Sequence, residues 1–201
     1  MSIKEYSLFY WVIVGILALL VASPFLSRVL VYPRTEFFTE FWILDSNRRA
    51  ENYPFNITRN QNYRIHLGIG NHLGYCAYYM VQVKFRNQTQ EAPTSFGPIE
   101  KRTFSSLQSL CNFTVFVADE SVWETPLTFS FDYQENASRV EMNSLVLNGL
   151  SLNLSDHIVA WNSSRNAYYG ILFFELWLYN STSFNYHGRY VGLWLNMTTS
   201  S

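Results

Sequence analysis

The distribution of apolar and polar positions divides the chain into one unbroken apolar segment and a longer region of alternating residues. The segment Leu8–Leu26 holds 19 residues and no charged side chain. As an α-helix it would be about 28 Å long, close to the ~30 Å hydrocarbon core of a bilayer. Three aromatic side chains lie near its start, where interfacial aromatics concentrate: Tyr6, Tyr10 and Trp11. The pattern predicts a short cytoplasmic N-terminus at residues 1–7 and a transmembrane anchor at residues 8–30.

Two other interpretations of this segment stay open. A cleaved signal peptide would use the small residues Val21-Ala22-Ser23, but Pro24 would then follow the cut, and the apolar run exceeds the 7–15 residues of a signal core. A pilin-like N-terminus would be cut before the apolar helix, where Lys4-Glu5-Tyr6-Ser7 is a poor version of that signal. We favour the uncleaved anchor.

After Tyr32 the apolar residues recur with a period of two, which is typical of β-strands. The pair Asn148-Gly149 between apolar runs predicts a tight hairpin. The run Tyr168–Tyr179 is almost entirely apolar and predicts a central strand that is buried on both faces. Seven to nine strands are expected in all. The predicted fold class is all-β: an immunoglobulin-like antiparallel β-sandwich over residues 31–201, preceded by the one transmembrane helix.

Composition narrows the functional classes. The net charge is −1, and there is no basic stripe of the kind that binds nucleic acid. Charged residues make up 14% of the chain and aromatics 18%, which excludes an intrinsically disordered protein. The expected partners are therefore membrane lipid, through residues 8–30, and another protein.

Acceptor motifs for N-glycosylation indicate on which side of the membrane the β domain is expected to lie. The motif Asn-x-Ser/Thr occurs eight times after the apolar segment and never before it, at Asn56, Asn87, Asn112, Asn136, Asn153, Asn162, Asn180 and Asn196. N-glycans are added on the outer face of the membrane, so the β domain is predicted to be extracytoplasmic. The alternative is that an Asn- and Thr-rich chain generates such motifs passively.

Cys76 and Cys111 are the only cysteines of the chain. In an extracytoplasmic domain two thiols predict a disulfide, which here would close a loop of about 36 residues and contribute roughly 3–4 kcal/mol. Metal binding is disfavoured, because no Cys or His pair has the spacing of a zinc site.

The sequence contains no known catalytic or cofactor motif. Four scattered histidines are expected to be structural: His66, His72, His157 and His187. Asp119, Glu120 and Glu124 are expected to be solvated acids of one loop rather than a carboxylate pair. We therefore expect no enzyme, no metal and no cofactor apart from covalent N-glycans.

Several segments resemble a domain of unknown function found in archaeal membrane proteins. They are Thr39–Asp45 (TEFWILD), Glu51–Pro54 (ENYP), His66–His72 (HLGIGNH), Leu172–Tyr179 (LFFELWLY) and Tyr190–Asn196 (YVGLWLN). The chain differs in having Leu73 where members often carry an acid, and one apolar span where many have several. The resemblance implies an archaeal source and an extracytoplasmic β-sandwich, but no activity.

These features together predict a non-enzymatic, membrane-anchored, N-glycosylated accessory or structural subunit of an archaeal cell-surface or membrane complex. The alternatives are a glycan-binding or glycan-assembly accessory protein and a pilin-like filament subunit. The predicted docking surface is the segment Val31–Leu44, which avoids the glycosylation motifs; its aromatic residues are Phe37, Phe38, Phe41 and Trp42.

Overall fold

The computed structural model describes residues 3–29, 36–98, 101–136 and 139–198. The chain divides into two compact units, residues 1–37 and 38–201. The first unit contains the single helix α1, Ile3–Val29, which continues through Pro24. In the part of the chain that the structure describes, no helix is long and apolar enough to cross a membrane.

The described residues of the second unit form eleven strands. They are β1 (Phe38–Leu44), β2 (Asn56–Ile57), β3 (Tyr63–His72), β4 (Ala77–Asn87), β5 (Cys111–Val117), β6 (Ser121–Asn136), β7 (Arg139–Leu147), β8 (Leu150–Asn153), β9 (Ile158–Asn162), β10 (Ala167–Tyr179) and β11 (Phe184–Met197). The expected all-β class is confirmed, in the form of one curled sheet.

Strand pairing divides the sheet into two ladders. The β1 ladder runs β1–β3–β6–β7, and both β8 and β9 pair with β7. The β10 ladder runs β5–β4–β10–β11–β2. Two residue pairs between β9 and β10 join the ladders. Among the described strands, β2 and β11 form the one parallel pair.

One apolar core lies between the ladders. Alternate residues of β3, β6 and β7 pack against alternate residues of β4, β10 and β11. Phe131 of β6 meets Phe85 of β4 with 5.5 Å between ring centroids, and both side chains are fully buried. The hydroxyl of Tyr133 lies 2.7 Å from the carbonyl oxygens of Ile57 and Thr198, which attaches the β10 ladder to β6.

The hairpin predicted at Asn148-Gly149 is confirmed between β7 and β8. Asn148 and Gly149 have φ of 48° and 83°, the left-handed conformation that a two-residue hairpin turn requires. The predicted central strand is also confirmed: all ten residues from Ala167 to Leu176 of β10 are buried, because β4 and β11 flank β10 and both of its faces are covered.

Candidate binding surface

The predicted disulfide between Cys76 and Cys111 is wrong: both thiols are free. Cys111 pairs with Val83, whereas Cys76 directly precedes Ala77, which pairs with Val117 at the opposite end of the same ladder. At about 3.3 Å per strand residue the two cysteines lie roughly 20 Å apart, far beyond the span of a disulfide. Cys76 is exposed, and partial burial raises the pKa of the Cys111 thiol.

The eight acceptor asparagines all lie among the described residues of the β unit, although residues 137 and 138 of the Asn136 motif lie outside them. None of the acceptor asparagines is buried; Asn56, Asn112, Asn136, Asn153 and Asn180 are exposed, and Asn87, Asn162 and Asn196 are half-buried. The half-buried amides have structural roles. Asn87 Nδ2 donates to the Ile158 carbonyl at 3.1 Å, and Asn196 Nδ2 donates to Asn56 Oδ1 at 3.0 Å.

The three acidic residues expected in one loop are separated rather than paired: Asp119 and Glu120 precede β6, whereas Glu124 lies on β6 itself. Asp119 Oδ1 accepts the backbone N–H of Gly74 at 2.9 Å, Glu120 contacts His72 at 3.1 Å, and Glu124 contacts Arg48 at 3.1 Å. Among the described residues no group of three His, Cys, Asp or Glu side chains could hold a metal ion.

The histidines occupy separate places. His66 Nδ1 lies 3.0 Å from the Asp45 carbonyl, His72 stacks on Phe38, and His157 meets the ring of Phe85 edge-on. His187 belongs to a buried chain of polar groups. Its Nε2 lies 2.8 Å from Thr39 Oγ1, which lies 3.0 Å from the Tyr79 hydroxyl.

The predicted docking residues have different environments. Phe37 and Phe38 are 61% and 42% exposed. Phe41 packs against the core, and the indole of Trp42 covers Gly68, where a Cβ atom would strike its ring. Residues 31–35 of the predicted segment lie outside the described part. Two of the four aromatics are therefore available at a surface, and docking there stays a prediction.

A larger aromatic surface covers the face of the β10 ladder that points away from the core, which we call the outer face. Strand alternation places odd-numbered residues of β10 and even-numbered residues of β4 on it, in register. Its aromatic members are Tyr78, Phe116, Tyr169, Phe173, Trp177, Tyr179, Phe184, Tyr186, Tyr190 and Trp194. These are residues of four neighbouring strands, so no single strand reveals the surface.

The long β4–β5 connection, which we call the strap (residues 88–98 and 101–110), lies across the middle of the outer face. The ring of Phe104 packs on Trp177 with 5.1 Å between centroids. Tyr186 donates its hydroxyl hydrogen to the Thr94 carbonyl at 3.1 Å, and Arg102 Nη1 donates to the Gly188 carbonyl at 3.2 Å. The strap thus covers the central aromatics.

A buried ion pair holds the strap in place. Lys84 Nζ lies 2.8 Å from Glu175 Oε2, and the two side chains are 3% and 0% exposed. Ser105 of the strap completes the site: its N–H donates to Glu175 Oε1 at 2.7 Å, and its carbonyl accepts from Lys84 at 2.9 Å. Burial and the charge of Glu175 raise the pKa of the nearby Tyr186, so its hydroxyl stays protonated.

The aromatics at the two ends of the outer face remain accessible. At one end Tyr78 and Phe116 stack at 4.1 Å and 10°, beside Tyr179 and Phe184; we call these four residues the end cluster. Phe116 is 67% exposed and Tyr179 is 39% exposed. At the opposite end Trp194 is 46% exposed.

Sequence reasoning missed the Lys84–Glu175 pair and the surface around it, although a signal was present. Glu175 is the one charged residue of the apolar strand β10, and such a charge is buried only when it has a partner. Tyr78 does face outward while its neighbour Tyr79 is buried, as alternation requires. Both Tyr168 and Tyr169, in contrast, are buried.

The sequence profile of a domain of unknown function, DUF1616, matches residues 33–169, about two thirds of the chain. The chain belongs to the DUF1616 family. The expected membership of an uncharacterised domain family is confirmed to that extent. No curated protein sequence matches this DUF1616 chain significantly.

Three solved structures of a beta-glucosidase from Listeria innocua resemble the fold distantly. The complexes with isofagomine, glucose and gluconolactone match with TM-scores of 0.35, 0.31 and 0.32 and identities of 9%, 10% and 8%. They cover 83%, 82% and 82% of this chain but 17% of the glucosidase, so the chain spans less than a fifth of its length. Similarity at this level gives no information about activity.

Proposed function

We propose that this DUF1616 chain is a non-enzymatic, membrane-anchored, N-glycosylated accessory or structural subunit of an archaeal cell-surface or membrane protein complex. In this proposal the β unit is extracytoplasmic and immunoglobulin-like, and it docks on a partner protein. The uncharged run Leu8–Leu26 supports the anchor, and eight acceptor motifs with no buried asparagine support the outer location.

The end cluster is the observation that carries the docking role. Four aromatic side chains lie together at the rim of a rigid sheet, and Phe116 leaves two thirds of its surface in solvent. Exposed, clustered aromatics are enriched at the centres of protein interfaces, since they contribute large apolar area at small entropic cost. The exposed Phe37 and Phe38 of the N-terminal segment form a further contact region in this proposal.

Site-specific photocrosslinking in native membranes tests this role. A photoreactive residue at position 116 of the full chain should give a discrete protein adduct. The matched control is position 122, because Val122 is 59% exposed but lies on β6 of the other ladder. Equal adduct formation at both positions, or none at position 116, would contradict the proposal.

A saccharide-binding role is the second candidate. Such a role requires exposed aromatics on one sheet, and the outer face has them at its two ends, on either side of the strap. Trp194, at the end opposite the end cluster, is both exposed and flanked by cations.

A further inference from the structure

Trp194 is partly exposed, and two guanidinium groups lie over its ring system. The guanidinium carbon of Arg165 lies 5.2 Å from the centroid of its ring system, and that of Arg86 lies 5.8 Å away. Tyr169 supports the indole edge-on, at 6.1 Å. We call Trp194, Arg86, Arg165, Tyr169 and Phe55 the Trp194 platform.

The fold fixes each member of the platform. Arg86, Ile171 and Trp194 occupy one row across β4, β10 and β11, so Arg86 reaches the indole over Ile171. Arg86 Nη1 donates to the Gln90 carbonyl at 2.8 Å, which orients its guanidinium. Arg165 comes from the turn before β10, where its N–H donates to Asn162 Oδ1 at 3.1 Å.

The aromatic surface extends past one ring. Phe55, 43% exposed, packs on Tyr169 with 5.7 Å between centroids. Tyr169 is itself buried, and the Arg165 guanidinium carbon lies 5.5 Å from its ring centroid. Trp194 and Phe55 are therefore the two accessible rings of this aromatic group, and each can support one sugar ring.

The positive charge of the platform favours an anionic ligand. Within the described part of the chain neither Arg86 nor Arg165 forms an ion pair with a carboxylate. Burial lowers the pKa of Arg86, and Tyr190 offsets part of that effect. Arginine binds carboxylates with paired, charge-assisted hydrogen bonds.

We propose that the Trp194 platform binds an acidic saccharide, with an apolar sugar face on the indole and the sugar's carboxylate between Arg165 and Arg86. A uronate carries its carboxylate at the ring edge, so a sugar centred on Trp194 directs it towards the flanking guanidinium groups. The proposal rests on the saccharide-binding candidate and is independent of docking through the end cluster.

The proposed ligand is a separate glycan rather than one attached to the neighbouring Asn196. The Asn196 amide is held on both sides: Nδ2 donates to Asn56 Oδ1 at 3.0 Å, and Oδ1 accepts the N–H of Tyr168 at 3.1 Å. Bulk on this amide would disturb both contacts, whereas a separate chain can approach the open indole.

Titration calorimetry of the full chain in detergent tests the proposal. The probes are hexa-galacturonate and its fully methyl-esterified form, which has the same rings without the charges. We expect W194A to lose binding of the acidic probe at least tenfold, and R165Q to reduce its affinity to that of the neutral ester. The matched controls are F96A, because Phe96 is 87% exposed and lies in the strap, and R139Q, because Arg139 lies on β7; both should bind as the parent does.

Equal affinity of the parent for the two probes, or no effect of W194A, would overturn the proposal. Binding of anionic lipid vesicles that W194A abolishes, without binding of hexa-galacturonate, would overturn it in favour of a membrane surface. Each result is independent of crosslinking from position 116, so failure of one proposal leaves the other intact.

Discussion

At the scale of single residues, the buried series of hydrogen bonds that ends at His187 allows only one placement of its hydrogen atoms. Asn71 uses its Nδ2 hydrogens on the carbonyls of Tyr75 and Val117, so its Oδ1 accepts from Tyr79. Burial raises the pKa of Tyr79 to about 12, which keeps its hydroxyl hydrogen available. The Tyr79 oxygen then accepts from Thr39, and Thr39 accepts from His187 Nε2–H. His187 therefore carries a proton on Nε2, and its lowered pKa keeps the ring neutral at pH 7.

This arrangement predicts a loss of stability in mild acid. Burial, then the charges of Arg189 and Arg102, lowers the pKa of His187 to about 4 from an ordinary 6.5. Between these values the unfolded chain binds a proton that the folded chain does not, so the free energy of unfolding falls as the pH falls, by about 3 kcal/mol at most. Urea unfolding at pH 7.0 and 4.5 measures it.

The variant H187Q isolates the effect, since glutamine retains an N–H donor for Thr39 but does not titrate. We expect it to lose much of the difference between the two pH values, while T39S keeps that difference. An unchanged pH dependence in H187Q would refute the assignment of the neutral imidazole.

The two cysteines give a second prediction at this scale. Iodoacetamide without reductant should alkylate both thiols, Cys76 quickly and Cys111 slowly, because partial burial lowers the thiolate fraction of Cys111. Peptide mass spectrometry reports both rates. C76S should change the free energy of unfolding by less than about 0.5 kcal/mol, as expected for an exposed side chain. Recovery of a peptide linked through both sulfurs would contradict the strand register.

At the scale of elements, the strap is held by the buried ion pair of Lys84 and Glu175. We expect that both charges can be removed together at small cost, but that neither can be removed alone. Removal of one member leaves the other buried without a counter-charge, so K84M should cost about 3–5 kcal/mol. The double variant K84M/E175L removes both charges and should recover much of that loss. Chemical denaturation of the parent, K84M, E175L and the double variant gives the coupling energy. A double variant that is less stable than K84M would contradict this expectation and would show that the ion pair itself stabilises the fold.

The elements also show what the sequence can predict and where it fails. Apolar patterning and turn residues are local properties, so the run Tyr168–Tyr179 located β10 within one residue, and the pair Asn148-Gly149 located a hairpin. The two-residue β2 and the short β9 have too few alternating positions to be detected. The disulfide was mispredicted because its geometry depends on the pairing of β4 with β5, which spacing along the chain does not report.

The sequence did not predict the candidate surfaces for the same reason, because they too depend on which strands pair. Glu175 and Lys84 are 91 positions apart, and Trp194 and Arg86 are 108 apart, yet β10 brings all four to one face. Only the strand order β4–β10–β11 converts four isolated aromatic patterns into one surface. The lone charge of Glu175 inside the apolar strand β10 was the detectable signal.

At the scale of the whole molecule, the fold also decides which glycans can coexist. Asn56 and Asn196 are far apart in the sequence, but β2 pairs with the end of β11 and their amides share a hydrogen bond of 3.0 Å. A glycan at one site occupies the space beside the other and removes this contact, because each attached sugar is bulky and solvated.

We therefore expect a glycosylated chain to carry a glycan at Asn56 or at Asn196, but rarely at both. Middle-down mass spectrometry of the intact β unit counts glycans on single molecules, and N56Q should raise the occupancy of Asn196. Asn112 and Asn180 provide the control, since both are exposed and share no hydrogen bond with another acceptor asparagine: N112Q should leave the occupancy of Asn180 unchanged. A population in which most molecules carry both glycans would show that this end of β11 opens to admit them, and the Trp194 platform beside it would then lie under the protein's own sugars.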